Sequence, residues 1–172
     1  VITSVMYDVG GKDFEPNRTG FAHFFEHLLF EGTENIKRGD WFTIVSSNGG
    51  SNNASTSLDR TYYYEIFPSN NLELGLWMES ERLMHPVINQ IGVDTQNEVV
   101  KEEKRTSYDN RPYGGILGAI GENLFTNHPY HYKNIVEMED LDAATYAEFK
   151  GVQKKEQNPS DLVRNLFRRH RT

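Results

Sequence analysis

The sequence predicts an α+β fold in which an antiparallel sheet is covered by helices. Stretches with alternating or β-branched side chains are typical of strands, and they lie at residues 1–9, 51–58 and 60–67. The last two are joined by a tight turn at Leu58-Asp59-Arg60. Longer stretches with a helical period separate and follow them. A chain of 172 residues is large enough to bury one core.

The helical pattern extends over most of the remaining chain. It predicts helices at residues 20–30, 40–47, 71–84, 94–108, 114–125 and 143–153. Asp40 is expected to cap the second of them. The helix at 71–84 is amphipathic, and its buried stripe is expected to hold or adjoin Leu72, Leu76, Trp77, Met78 and Leu83.

Charge is distributed unevenly along the chain. The net charge is −7, but residues 154–172 hold six basic and two acidic residues, so residues 1–153 carry about −11. We therefore predict a folded domain at 1–153 and a basic tail at 154–172 that is disordered or atypical. The acidic body argues against a nucleic-acid partner. The absence of cysteine excludes disulfides, and no apolar stretch is long enough for a transmembrane segment.

One helical segment carries the strongest chemical signal. Residues 20–30 are apolar except for His23, Glu26 and His27, and ionisable groups on a buried helix need a partner. The two histidines are four residues apart, so both imidazoles can reach one ion. Glu26 lies beside them, as a general base would. A zinc site satisfies all three groups. The alternative is two core histidines bonded to backbone carbonyls, with Glu26 at the surface.

A catalytic zinc ion has three protein ligands and a position for water, whereas a structural one has four. With no cysteine, the missing ligand must supply nitrogen or oxygen. Read as a helix, residues 94–105 place Glu103 on one face with Gln96, Val99 and Val100, and that face is expected to point inward. An inward carboxylate needs a positive partner. Glu103 is therefore the candidate third ligand.

Further segments of the chain resemble one family of peptidases. They read Arg-Thr-Gly-Phe-Ala-His at 18–23, Phe-Glu-Gly-Thr at 30–33, Asn-Ala-Ser-Thr at 53–56, Asp-Arg-Thr-Tyr-Tyr at 59–63 and Asp-Asn-Arg-Pro-Tyr-Gly at 109–114. With His-x-x-Glu-His and a glutamate about 75 residues later, they resemble the inverzincins, the pitrilysin and mitochondrial processing peptidase family. The resemblance implies that His23, His27 and Glu103 bind one zinc ion and that Glu26 activates a zinc-bound water.

The same resemblance implies an architecture and a partner. The chain is similar to the N-terminal domain of the smaller bacterial members, as one half-domain that is incomplete at both ends. A second homologous half-domain or subunit is the expected partner. The resemblance leaves the compartment open, and the periplasm or cell envelope of a bacterium is the first expectation. It ends near residue 150, where the chain departs from the family pattern.

Two further features concern the predicted site. Gln96 stands where some members of the family carry a second glutamate, and an amide there can hydrogen-bond to a ligand but cannot shuttle protons. Asn52, Asn53, Ala54 and Ser55 are small and polar for a strand, as expected of an edge strand that binds an extended peptide. An edge strand merely blunted by polar residues is the alternative, and the resemblance favours peptide binding.

The sequence thus predicts a zinc-dependent endopeptidase that hydrolyses extended or unfolded peptides. Two alternatives stay open. The first is a non-catalytic peptide-binding or scaffold subunit of a two-part peptidase, although such subunits usually lose motif residues that this chain keeps. The second is a metal-dependent hydrolase with the same ligands and a different class of substrate.

Overall fold

The fold is known from a computed structural model that describes residues 1–13, 18–131, 138–143 and 145–149. Three strands, β1 (Ile2–Tyr7), β2 (Ser51–Thr56) and β3 (Thr61–Ile66), form an antiparallel sheet in the order β1-β3-β2. In the pairing register, Val5 and Ala54 lie on either side of Tyr63. The predicted α+β class is confirmed. Within this sheet β2 has one neighbouring strand, as predicted for an edge.

The helices are α1 (Phe21–Leu28), α2 (Asp40–Ser47), α3 (Leu72–Met84), α4 (Gln90–Lys104), α5 (Ile116–Leu124) and α6 (Met138–Ala143). A π-helical turn, Arg105–Asp109, extends α4. Residues 146–149 are helical, in agreement with the start of the helix predicted at 143–153. The end of that helix and the predicted basic tail lie outside the described residues. Among the described residues, no helix combines the length and apolar character needed to cross a membrane.

The bounds of α2 agree with the prediction but its cap does not, and α4 begins earlier than predicted. Gly39, with φ 84°, precedes α2, and Asp40 is its first residue rather than its cap. The left-handed backbone at this position favours glycine, which explains why a side-chain cap is not used. Helix α4 begins at Gln90, before the predicted start at 94, because the Asn89 side chain accepts a hydrogen bond from the backbone N–H of Gly92 (2.9 Å).

The buried face of α3 was predicted correctly only in part. Met78 is fully buried and Leu83 is partly buried against the core, as expected, but Leu72, Leu76 and Trp77 are 41, 57 and 40 % exposed. Besides Met78, α3 buries Gly75, Glu79, Glu81 and Arg82. Gly75 permits a close approach to β1, since a Cβ there would lie 2.7 Å from Thr3 Oγ1. The charged residues on this face are tolerated because partners on other elements satisfy them.

Among the described residues the core forms two clusters, and the larger one holds α1 in place. Phe24, Tyr63 and Val100 are fully buried and bring α1 against both the sheet and α4. Phe149 stacks on Phe24 with ring centroids 4.6 Å apart. Full burial of such a side chain contributes roughly 1.5–3 kcal/mol. The packing of α1 beside α4 brings together side chains that are far apart in the sequence.

Candidate metal centre

The local geometry of α1 explains the orientation of its two histidines. The helix begins after Gly20, which has φ 70°, and buries Phe21, Phe24 and Leu28 in the core. His23 and His27 are four residues apart and only partly buried, with side chains 15 and 20 % exposed. Their ring centroids lie 4.8 Å apart. The apolar residues thus fix the helix and leave both imidazoles pointing away from the core.

Helix α4 brings Glu103 to these imidazoles. The Glu103 Oε2 atom lies 3.2 Å from His27 Nε2 and 3.6 Å from His23 Nε2. The two Nε2 atoms are 3.2 Å apart. The inward face of α4 is narrower than predicted: Val100 is fully buried, whereas Val99 is 43 % exposed. Among the described residues, this trio is the one cluster of histidine and acidic side chains whose ligand atoms could hold a metal ion.

The donor set fits a zinc ion. Zinc binds histidine nitrogen and carboxylate oxygen at about 2.0–2.2 Å in tetrahedral geometry, and ligand atoms on such a tetrahedron are about 3.3 Å apart. The three observed separations, from 3.2 to 3.6 Å, bracket that value. Two imidazoles and one carboxylate are also the chemistry of a catalytic rather than a structural site, because they leave a fourth position open.

The charges of the three groups are strongly perturbed. Burial and the neighbouring His27 lower the pKa of His23 to about 4, against the attraction of Glu103. Burial acts in the same direction on His27, but its hydrogen bond to Glu103 and the charges of Glu103 and Glu26 outweigh it and raise its pKa. The hydrogen bond to His27 in turn lowers the pKa of Glu103. A hydrogen bond thus joins His27 Nε2 and Glu103 Oε2, and a divalent cation bound to both atoms would replace its proton.

Glu26 lies on the buried side of α1, 8 % exposed. Burial raises its pKa, although a hydrogen bond from Thr56 opposes the change. Thr56, the last residue of β2, donates this bond from its Oγ1 to Glu26 Oε2. The Tyr63 hydroxyl donates to the backbone carbonyl of Glu26 (3.3 Å). The sheet thus holds Glu26 at two points.

Gln96 contacts the second imidazole, on the side away from Glu103. Its Oε1 lies 3.2 Å from His27 Nδ1, and its Nε2 donates to Glu31 Oε1 (2.5 Å). Arg38 Nε in turn donates to Glu31 Oε2. A chain of side-chain hydrogen bonds therefore runs from His27 through Gln96 and Glu31 to Arg38.

The polar strand β2 lies beside this site. Asn52 and Ala54 are half-buried and Asn53 and Ser55 are exposed, so successive side chains alternate between the two faces of the sheet. The backbone N–H of Ala54 donates to the Asn53 side chain (2.9 Å). Through Thr56, the strand is joined directly to Glu26.

Sequence reasoning missed Thr56 and Glu31 as parts of the site. Thr56 ends the polar strand and Glu31 follows Phe30 just after α1, but no periodicity relates either residue to Glu26 or Gln96. Their contacts span 30 and 65 residues of sequence. The segments 30–33 and 53–56, quoted for their resemblance to the peptidase family, are the only sequence signal that includes them.

The fold and the inverted His-x-x-Glu-His helix, with a glutamate supplied by a second helix, define a metallopeptidase domain. Residues 3–135 match the model of the insulinase family, peptidase family M16. The chain belongs to this family, which confirms the resemblance to pitrilysin-type enzymes.

Relatives of this chain are described as zinc proteases. The zinc protease PqqE of Helicobacter pylori is 31% identical over 92% of this chain and 36% of its own length. The zinc protease YmfH of Bacillus subtilis, described as uncharacterized, is 33% identical over 64% of this chain and 24% of its own length. The chain thus spans 36% and 24% of the length of these two curated relatives.

Solved structures of proteases share the fold. The crystal structure of a protease from Helicobacter pylori has a TM-score of 0.86 and 31% identity, and the match covers 93% of this chain and 38% of that one. The periplasmic protease PqqL from Escherichia coli has a TM-score of 0.81 at 23% identity, covering 93% of this chain and 18% of that one. At that lower identity the likeness concerns the fold alone.

Proposed function

We propose that this chain is the zinc-binding half of an endopeptidase that hydrolyses extended or unfolded peptides. One observation carries the proposal: the ligand atoms of His23, His27 and Glu103 converge within 3.6 Å of one another, beside a buried glutamate. Membership of a peptidase family supports the reaction class, and the names of the relatives support zinc as the metal.

His23, His27 and Glu103 would hold the zinc ion. When bound, zinc supplies a Lewis acid that polarises a carbonyl and makes a water molecule more acidic. Three protein ligands would leave room for substrate or water, and burial, which raises the pKa of Glu26, makes this carboxylate a better proton acceptor.

Glu26 is the proposed proton carrier. It would accept a proton from the attacking water and deliver it to the amine that leaves when the peptide bond breaks. Thr56 would keep one carboxylate oxygen of Glu26 in place and leave the other for the water. Gln96 would have no part in proton transfer, since an amide cannot exchange a proton at this pH, and would orient His27 instead.

The edge of β2, from Asn52 to Ser55, is the proposed binding strand for the substrate backbone. A peptide added to a sheet edge is bound mainly through main-chain hydrogen bonds, so its side chains matter little for affinity. The peptide would take over the Ala54 N–H from the Asn53 side chain. Because Thr56 continues the same strand to Glu26, a peptide in this register would present a carbonyl beside the base.

A second half-domain or subunit is the proposed partner. The chain covers 36% of the length of the Helicobacter relative, so the remaining two thirds have no counterpart here. We expect the isolated chain to bind zinc but to cleave peptides weakly or not at all. Full activity of the isolated chain would contradict this part of the proposal.

The test compares Glu26→Gln with Glu102→Gln, a change of the same kind at an exposed position next to the ligand Glu103. Both are made in a protein that includes the partner half. Zinc is measured by mass spectrometry of the metal, and turnover with a library of unstructured peptides. We expect each variant to keep one zinc ion, while Glu26→Gln lowers kcat by about 10²–10⁴-fold. Hydrolysis that survives Glu26→Gln would refute the assigned role.

A further inference from the structure

We propose that Glu31 is a positioning residue that fixes the tautomer of His27 by holding the Gln96 amide in one orientation. The inference rests on the proposed metal site and adds to it a residue outside the ligand set. Glu31 is buried, 9 % exposed, and lies three residues after the end of α1. It reaches His27 only through Gln96.

The ambiguity that must be resolved lies in Gln96. A carboxamide offers an acceptor oxygen on one side and a donor NH₂ group on the other, and a half-turn exchanges them. With Oε1 toward His27, Gln96 accepts from an Nδ1–H and leaves the Nε2 lone pair for a metal. With the NH₂ group toward His27, Gln96 would favour the tautomer protonated on Nε2, the atom that faces His23 and Glu103. A glutamine alone does not choose between these states.

Glu31 makes the choice because an ionised carboxylate only accepts hydrogen bonds. Gln96 Nε2 donates to Glu31 Oε1 (2.5 Å), which turns Gln96 Oε1 toward His27 Nδ1 (3.2 Å). Turning the amide would point its oxygen at the Glu31 carboxylate, and the two acceptors would repel each other. The orientation of Gln96 is thereby tied to the charge of Glu31.

Two other residues hold Glu31 in this position. Arg38 Nε donates to Glu31 Oε2, so the carboxylate is fixed from the side opposite Gln96. Gly92, one helical turn before Gln96 on α4, leaves room for the carboxylate, since a Cβ there would lie 3.2 Å from Glu31 Oε2. Each hydrogen bond in this chain thus pairs one donor with one acceptor, in the order Arg38, Glu31, Gln96 and His27.

A charge exchange distinguishes this role from a merely structural one. In Glu31→Gln the single amide oxygen would go to Arg38, so the new NH₂ group would face Gln96 and turn it the wrong way for His27. In the double variant Glu31→Gln/Gln96→Glu, the carboxylate at 96 accepts from both neighbours, and the correct tautomer returns. Loss of packing alone would not be repaired by this second change.

The experiment measures the zinc dissociation constant of the full chain, and the ¹⁵N spectrum of the His27 ring without zinc, at a pH at which this imidazole is neutral. Glu31→Gln is expected to weaken zinc binding about 10–100-fold, as outer hydrogen-bond partners of metal ligands typically do, and to remove the Nδ1–H signal. The double variant is expected to restore both. Glu102→Gln, which removes one negative charge beside Glu103, is the matched control and should change neither.

Each outcome decides the proposal. The proposal is overturned if Glu31→Gln binds zinc as tightly as Glu102→Gln does. It is also overturned if the double variant binds zinc as weakly as Glu31→Gln. Should Glu31→Gln fail to fold, the double variant alone decides, by matching either the wild type or His27→Ala. His27→Ala also separates the two hypotheses. If it binds zinc normally, the metal site itself is wrong, whereas if it loses zinc while Glu31→Gln does not, only the role of Glu31 fails.

Discussion

A fully buried and a partly buried cluster of ionisable side chains can be compared among the described residues, and they differ in what their polar atoms contact. In the first, Arg82 of α3 donates to Glu65 Oε1 (2.8 Å), to both carboxylate oxygens of Glu79 and to the Leu29 carbonyl. In the second, the possible ligand atoms of His23, His27 and Glu103 lie within 3.6 Å of one another.

The difference separates a structural, closed cluster around Arg82 from an open cluster, the proposed metal site of His23, His27 and Glu103. The Arg82 guanidinium also lies 4.1 Å from the Trp41 ring centroid and 4.2 Å from that of Tyr63, so protein atoms satisfy its donors and cover it. In the other cluster, two imidazole nitrogens and one carboxylate oxygen converge, and the carboxylate is partly exposed. Burial of charged groups alone therefore does not indicate a metal site in this molecule, and the convergence of ligand atoms is what supports the proposal.

The largest effect is expected from breaking the closed cluster. Arg82→Met keeps much of the side-chain volume but leaves Glu65 and Glu79 buried without a cation. Removing one partner of a buried ion pair costs about 3–5 kcal/mol. We expect the free energy of unfolding, measured by urea denaturation without metal, to fall by that amount.

The matched control is Arg105→Met, because Arg105 pairs with Glu102 at the surface (3.2 Å). Exposed pairs contribute little, about 0–1 kcal/mol. In the fraction of Arg82→Met that remains folded, the zinc dissociation constant should equal that of the wild type. If Arg82→Met and Arg105→Met lost equal amounts of unfolding free energy, Arg82 would contribute no more to stability than an exposed ion pair does.

A smaller effect concerns the pH dependence of the closed cluster. Burial raises the pKa of Glu65 to about 8, with a further contribution from Glu79 and opposition from Arg82. Folded Glu65 thus keeps a proton between its unfolded pKa of about 4.5 and pH 8, where the unfolded chain has released it. Stability from this group is therefore complete below pH 4.5 and is lost as pH rises toward 8.

Glu65→Gln should abolish this loss, because the amide never ionises. Relative to the variant, we expect the wild type to lose about 3 kcal/mol of unfolding free energy between pH 5 and 7. Urea denaturation of both metal-free proteins across this range measures the difference. Parallel curves for the two proteins would show that Glu65 does not titrate as proposed.

The two clusters also differ in how far sequence could predict them. His23 and His27 are four residues apart on one helix, and Glu103 lies on the same face of α4 as the buried Val100. Local periodicity was therefore enough to predict all three as candidate ligands. The partners of Arg82 come from β3, from α3 itself and from the end of α1. Glu79 and Arg82 are related by helical spacing, but no local pattern relates them to Glu65 or Leu29. The spacing of aliphatic residues therefore predicted only part of the buried face of α3.

The same limit applies around the metal trio. The contact of Thr56 with Glu26 depends on where β2 ends relative to α1, and that of Glu31 with Gln96 depends on how α1 packs against α4. Both are consequences of tertiary packing. Residues that lie on one helix or strand, or that follow its period, could be predicted from the sequence. Contacts between residues of different elements became visible only in the structure.

The smallest effect tests the open cluster through its ligand. Zinc that binds only the folded chain should raise the free energy of unfolding by RT ln(1 + [Zn]/Kd), about 1.4 kcal/mol at tenfold excess over Kd. His23→Ala should abolish this stabilisation. His128→Ala is the matched control, because His128 is an exposed histidine outside the trio. Thermal unfolding of the three proteins with zinc and with a chelator measures the shift. If zinc stabilised His23→Ala as much as the wild type, zinc would bind elsewhere, and the open cluster would not be the metal centre.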